Sequence, residues 1–175
     1  MAVWLYRISV RSGGFEIVRS SISSISTDQR IQMLLIAFCF GGFLEGAAGF
    51  GIPIAICAAL LVSLGFNPLK AAMFALIANV SSGAYGAIGI PVTTAAIRGG
   101  VDLHALSIEM VLVIQIMAAL IPVLLVAIQD GLRGIREVGL VALMVGLIYS
   151  GGQSVLLAAL GNPELVDIIP PLLAL

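Results

Sequence analysis

Charge is what this sequence has least of. Only 10% of its 175 residues are charged while 61% are hydrophobic, against roughly 25% charged in a typical soluble domain, and the mean hydropathy is +1.19. A soluble core of this length cannot use so many apolar residues and still cover itself with polar surface, so the composition excludes a soluble globular domain. The net charge of −1 comes without a basic block or an acidic tail, which excludes nucleic acid as a partner and a polybasic lipid anchor. Histidine occurs once, at His104. That removes every two-histidine metal motif, and a Ser/His/Asp site would have to recruit His104 from a loop beside Asp102, where it reads as solvated. Cys39 and Cys57 lie in apolar runs at a spacing that suits neither a metal nor a redox pair, and read as small buried residues. The GxxxxGK[ST] phosphate cradle is missing too, and an ATP-driven pump needs it. The sequence therefore predicts no enzyme, no cofactor and no metal.

What it has instead is long uncharged runs. No Asp, Glu, Lys or Arg interrupts residues 46–69, 71–97, 110–129 or 138–163, and each run approaches or exceeds the roughly 20 residues of a spanning helix. The fold class predicted is an all-α polytopic membrane protein with about five segments: Ile31 to Ala48, Gly51 to Phe66, Ala71 to Ile97, Ile108 to Ile128 and Val138 to Leu160. Loops are expected at 67–70, 98–105, 129–137 and 161–167, all rich in turn residues. Residues 1–30 differ in kind, with Arg7, Arg11, Arg19, Arg30, Glu16, Asp28 and the tract "SSISSIS". They read as a cytoplasmic or interfacial lead-in to a transmembrane region over 31–175. They do not read as a signal peptide, since neither an apolar core nor a small-residue cleavage site is apparent. With that Arg-rich start inside, the positive-inside rule also places Lys70 and the Arg133/Arg136 loop inside and 98–105 outside. A re-entrant hairpin over 31–66 satisfies the same charge count.

Two glycine-rich stretches stand inside the apolar runs. "GAAGFGIP" (Gly46 to Pro53) and "GAYGAIGIP" (Gly83 to Pro91) both begin Gly-Ala, repeat glycine three positions after the first and end Gly-Ile-Pro. Glycine permits dihedrals other residues avoid, and proline fits the first turn of a helix, so each stretch predicts a chain break followed by a restarted helix. Broken backbone at membrane depth is tolerated where it packs in protein or lines a wet cavity, and paired breaks mark transporter binding sites. Gly46, Pro53, Gly86 and Pro91 are the structural breaks. Gly49, Gly51, Ile52, Gly89 and Ile90 are candidate substrate contacts, because restarted helix N-termini offer N–H groups and positive dipole ends to an anion. The other reading of the glycines is close helix packing, as in the Gly42/Gly46 spacing.

Polar residues cluster at the breaks. Glu45 directly precedes the first, and an intramembrane carboxylate costs about 2.5 to 3.5 kcal/mol unless it faces a polar path, a partner or a proton relay. It is the candidate proton-coupling group; the alternative places it at an interfacial turn in water. Asn79, Ser81 and Ser82 precede the second break, with Tyr85 inside it and Thr93 and Thr94 beyond, and offer hydrogen bonds to a hydroxyl or carboxylate ligand, or else between helices. Gln115 reads as interhelical glue or a cavity contact.

At these residues the sequence resembles the L-lactate permease family of bacterial secondary transporters. The likeness is carried by "LLIAFCFGGFLEGAAGFGIPIAI" (Leu34 to Ile56), "ALLVSLGFNPLKAA" and "LIANVSSGAYGAIGIPV" (Leu76 to Val92), and runs from "GGFEIVRSSI" to "NPELVDI". It implies proton symport of L-lactate and related 2-hydroxymonocarboxylates such as glycolate across the bacterial inner membrane. The partners expected are thus a small carboxylate, protons and the lipid bilayer. The resemblance carries over Glu45, Gly46, Gly49, Gly51 and Pro53, and Asn79, Gly86, Gly89 and Pro91, without assigning their roles. The chain departs from the family pattern at Ile52, where a small residue is usual, and at Val80-Ser81-Ser82, where Thr-Ala-Pro is usual; selectivity is expected to differ if these touch substrate. The family has roughly a dozen passes, so this chain is expected to be a central piece that packs with the remaining helices. A channel-like or structural membrane subunit, or a piece inactive alone, is the alternative.

Overall fold

The membrane helices begin where a short polar side chain takes up orphan backbone N–H groups. Asp28 accepts from Arg30 N, Asn67 from Leu69 N and Lys70 N, and Asp102 from Ala105 N, each an N-cap satisfying donors that a helix start leaves without partners. The computed structural model of the chain describes residues 2–49, 51–161 and 163–175, so Phe50 in the first break and Asn162 in the last loop lie outside the described residues, as does Met1. Among the described residues there is no strand.

Two short helices, α1 (Ala2–Arg11) and α2 (Gly14–Ile25), precede the core. Helix α3 (Gln29–Ala48) follows and is long and apolar enough to cross a membrane; its residues Leu34–Phe40 take the wider π pattern. Helix α4 (Ile52–Ser63) restarts after the first break. At 12 residues it is about 18 Å long, short of the roughly 30 Å hydrocarbon core. A β-carbon placed on Gly41 would lie 3.4 Å from Cys57 Sγ, and Gly41 and Cys57 stand eight or fewer residues to either side of the break. Helix α4 therefore folds back along α3. This returns the chain toward the end of the molecule from which α3 began, as both the re-entrant and the two-pass layouts of residues 31–66 require. Helix α5 (Pro68–Asn79) then packs along α4, and α6 (Ile90–Gly99) restarts after the second break.

From Leu103 to Leu160 the chain is helical except at Gly131, where φ is 62° and ψ −149°. This divides the run into α7 (103–130) and α8 (132–160). The two are antiparallel: Gly146 abuts the Ala119 backbone, whereas in one straight helix those residues would stand about 40 Å apart. The expected loop over 129–137 is thereby reduced to a single glycine. Its charged residues made the stretch look like a loop, yet they occupy the adjoining helix ends. The expected 98–105 loop shrinks likewise to 100–102, which puts His104, exposed, in the first turn of α7. Helix α9 (Ile169–Ala174) closes the fold against α3 and α8, with the Cys39 thiol donating to Ala174 O at 3.4 Å and Pro170 against Gly152.

An ion cluster ties the hairpin tip to the start of α3. Arg30 pairs with Asp28 at 2.8 Å, Asp130 at 3.1 Å and Glu137 at 2.7 Å, and Arg133 pairs with Glu137 at 3.0 Å. Arg30 holds the Asp28 carboxyl below its usual range, chiefly through the side-chain hydrogen bond. The cluster brings the start of segment one and the 129–137 stretch to one end, as the charge-based layout requires. Large apolar side chains on α7 and α8, among them Val113, Ile116, Leu140 and Val155, face outward and exposed, as a lipid-facing surface demands.

Gly131 sits in a dihedral region essentially reserved for glycine, and a β-carbon there would meet nothing within 4 Å. Gly131→Ala is expected to destabilise by about 1–3 kcal/mol through backbone strain alone. Gly151→Ala, where a β-carbon also meets nothing within 4 Å but the backbone is helical, is expected to be neutral or slightly stabilising. Thermal denaturation of both variants in detergent checks the pair.

Candidate functional site

Each glycine-rich stretch builds the same backbone device. In the first, Gly49 has φ 56° and ψ −161° and Gly51 φ 80° and ψ 1°; in the second, Gly86 has φ 59° and ψ −159° and Gly89 φ 66° and ψ 12°. Sequence similarity between the two stretches has become conformational identity to within about 15°. Pro53 and Pro91 then stand at equivalent places in the first turns of α4 and α6. The second stretch carries one more residue, absorbed at Ile88, the one non-glycine with positive φ (50°) among the described residues.

These breaks meet each other, and a third joins them. A β-carbon on Gly49 would lie 2.8 Å from that of Ala87, and one on Gly89 would lie 2.9 Å from the Pro163 backbone. Gly46 abuts the backbone of Asp167, in the non-helical stretch between the turn Pro163–Leu165 and α9. Three interruptions, far apart in sequence, thus share one level of the fold. Their small residues make that approach possible, since any side chain at Gly46 or Gly49 would occupy the partner's backbone.

A buried polar cluster fills this level. Glu45, Ser81, Ser82, Tyr149, Gln153 and Asp167 are each at most 4% exposed. Asp167 Oδ1 accepts from the Tyr149 hydroxyl at 3.2 Å and from Gln153 Nε2 at 2.7 Å. The Ser81 and Ser82 hydroxyls lie against the Tyr149 phenol, and Glu45 acts electrostatically on Asp167. Glu45 is buried in the last turn of α3 rather than at a watery turn. Among the described residues no group of three His, Cys, Asp or Glu is arranged to hold a metal.

The other sequence-predicted residues fall around this cluster in different ways. The Ile52 N–H donates to Gly49 O at 3.2 Å, and the Ile90 N–H donates to Ala87 O. Both donors thus close their own turns. Asn79 ends α5 with its Oδ1 buried and without a hydrogen bond. Ser81 Oγ donates to Ala78 O at 2.8 Å. Gln115 is interhelical, donating to the Tyr85 hydroxyl at 3.2 Å. Thr93 back-bonds to Gly89 O, and Thr94 is exposed. Tyr149, Gln153 and Asp167 were not singled out from sequence. Tyr149 and Gln153 stand one helical turn apart on one face of an apolar segment, a signal that the rule for intramembrane polar residues can find.

The fold is that of a polytopic helical membrane protein whose broken helices meet at a buried polar centre. The L-lactate permease family model matches residues 1–175, and the chain belongs to that family. It is 53% identical over 178 residues to an L-lactate permease of Halalkalibacterium halodurans, covering all of this chain and 34% of the relative. It is 47% identical to an L-lactate permease and 45% identical to the glycolate permease GlcA, both of Escherichia coli K12, over 99% of this chain and 31% of each relative. The chain therefore spans about a third of the length of these relatives. No solved structure matches it.

Gly46→Ala is the sharpest test of the convergence, because its methyl group enters the Asp167 backbone. The variant is expected to lose about 1–3 kcal/mol by overpacking, read as a lower denaturation midpoint in detergent.

Proposed function

We propose that this chain forms the substrate and proton site of a secondary transporter that imports L-lactate and related 2-hydroxymonocarboxylates such as glycolate by proton symport, in the inner membrane of a bacterium. The observation that carries this reading is the meeting of the three backbone breaks around buried Glu45 and Asp167, in a chain whose relatives are lactate and glycolate permeases. A small hydroxy acid needs a few convergent polar groups in an otherwise apolar site, and a cycle needs an acid able to bind and release a proton.

In this reading the N-terminal ends of α4 and α6, entered through Gly49, Gly51, Ile52, Gly89 and Ile90, favour the substrate carboxylate through their dipoles. Asn79, with a buried oxygen lacking a hydrogen bond, and Ser81 or Ser82 hold the 2-hydroxyl. Glu45 carries the proton, since burial favours the neutral form of a carboxyl and makes its charge worth neutralising. The remaining helices of a longer permease are the partners that would complete the path.

Radiolabelled L-lactate uptake tests this in cells lacking their own lactate carriers, with and without a protonophore. The assay is run with this chain alone and with this chain replacing the matching third of the Escherichia coli relative. Saturable, protonophore-sensitive uptake in either arm is the expected result, and Glu45→Gln is expected to abolish its pH dependence. Conductance without saturation would point to a channel-like subunit instead, and Glu45→Gln with an intact pH profile would remove Glu45 from the coupling.

A further inference from the structure

Asp167 is buried at 2% exposure at the centre of the fold, and its two oxygens are treated unequally. Oδ1 accepts two hydrogen bonds, from the Tyr149 hydroxyl and Gln153 Nε2, whereas Oδ2 is buried with none. The same is true within Gln153, whose Nε2 donates while its Oε1 is buried without a partner. Both orphan atoms are acceptors. What the pair lacks is a donor, and buried polar groups in native structures rarely stay without one. A proton on Oδ2 supplies it, turning an acceptor into a donor that the Gln153 carbonyl or a ligand oxygen can take.

The surrounding charges point the same way. The titratable groups acting on Asp167 are Glu45 from α3, Tyr149 from α8 and Tyr85 from the second break. None is a cation. The arginines of the ion cluster, Arg30 and Arg133, lie at the hairpin tip, and Lys70 and Arg98 are exposed. Two neighbouring buried carboxyls raise the cost of ionising either one beside the other, and they titrate as a unit. A substrate anion arriving there would add a third negative charge.

We propose that Asp167 and Glu45 share the transported proton as one protonation unit, and that it rests on Asp167 Oδ2 while the substrate anion is bound. Tyr149 and Gln153 are positioning residues that fix the carboxyl through Oδ1. On release the O–H bond of Oδ2 breaks and the proton passes to water. The carboxylate left beside Glu45 then repels the anion, so proton and substrate leave together. The inference rests on the transport reading above, to which it adds a second acid from a segment that sequence left as a loop.

The test uses proteoliposomes holding the transport-competent polypeptide from the uptake assay. Asp167→Asn keeps the shape of the side chain and imitates its neutral form. It is expected to lose all accumulation driven by a pH gradient, with exchange of labelled for unlabelled L-lactate at equal pH reduced far less than accumulation. Tyr149→Phe is expected to move the pH of half-maximal accumulation upward, because a donor to the ionised form is gone, with KM for lactate unchanged. Gradient-driven accumulation by Asp167→Asn equal to that of the parent overturns the proposal; if Glu45→Gln alone loses it, the transport reading stands with Glu45 as sole carrier. Infrared spectroscopy of the purified chain in lipid gives a readout independent of transport. A carboxylic acid C=O band present at neutral pH and lost in Asp167→Asn supports the inference, and a band unchanged by that substitution overturns it. Failure of the parent protein to move lactate at all would count against the transport reading, and the infrared result would still decide the protonation of Asp167.

Discussion

A helix that ends inside a packed membrane protein must find partners for its backbone there, because hydrocarbon offers none. The architecture follows from this constraint. The chain interrupts itself after Ala48, after Asn79 and after Leu160, and each interruption lies against another: Gly49 on Ala87, Gly89 on Pro163 and Gly46 on Asp167. Gathered in one place, the breaks turn three separate costs into one shared polar centre. The long α7–α8 hairpin and the α3–α4 hairpin are the frame that brings them to the same depth. At the opposite end, where water and headgroups are available, the frame is held by the multiple ion pairs of Arg30.

That constraint also decides where small residues are needed. Gly42 lies against the Tyr149 ring, Gly146 against Ala119 and Gly46 against Asp167, contacts in which a side chain would hold the elements apart. Without a hydrophobic drive between helices in lipid, such close approach is a main source of association. The packing and site readings of the glycines are therefore not rivals. The residues that let the breaks close on one another are also those that leave room for the carboxylates, the serines and the phenol between them.

Much of this was legible in sequence because the signals are local. Gly-Ile-Pro twice over specifies a left-handed residue followed by a proline-led helix, and the two stretches take matching dihedrals. Glu45 stood out as an acid in an apolar run, and it is buried. Asp167 was hidden by its position in a short polar stretch that looks like any exit loop; only the return of α9 along α3 buries it. Tyr149 and Gln153 gain meaning from Asp167, a non-local contact that no spacing rule reports. Gly131 misled in the other direction: charged neighbours made a nine-residue loop look necessary, where one glycine dihedral suffices.

The proposed function requires that a hydroxy acid bind within the converged breaks. Ser82 is fully buried beside the Tyr149 phenol, so a reagent reaches it only through that enclosure. The direct measurement is the rate at which a small thiol reagent modifies Ser82→Cys, with Cys39 and Cys57 replaced by alanine, in membranes with and without substrate. L-lactate is expected to slow modification, and propionate, which lacks the 2-hydroxyl, to slow it less. Modification at the same rate with and without L-lactate would contradict that requirement.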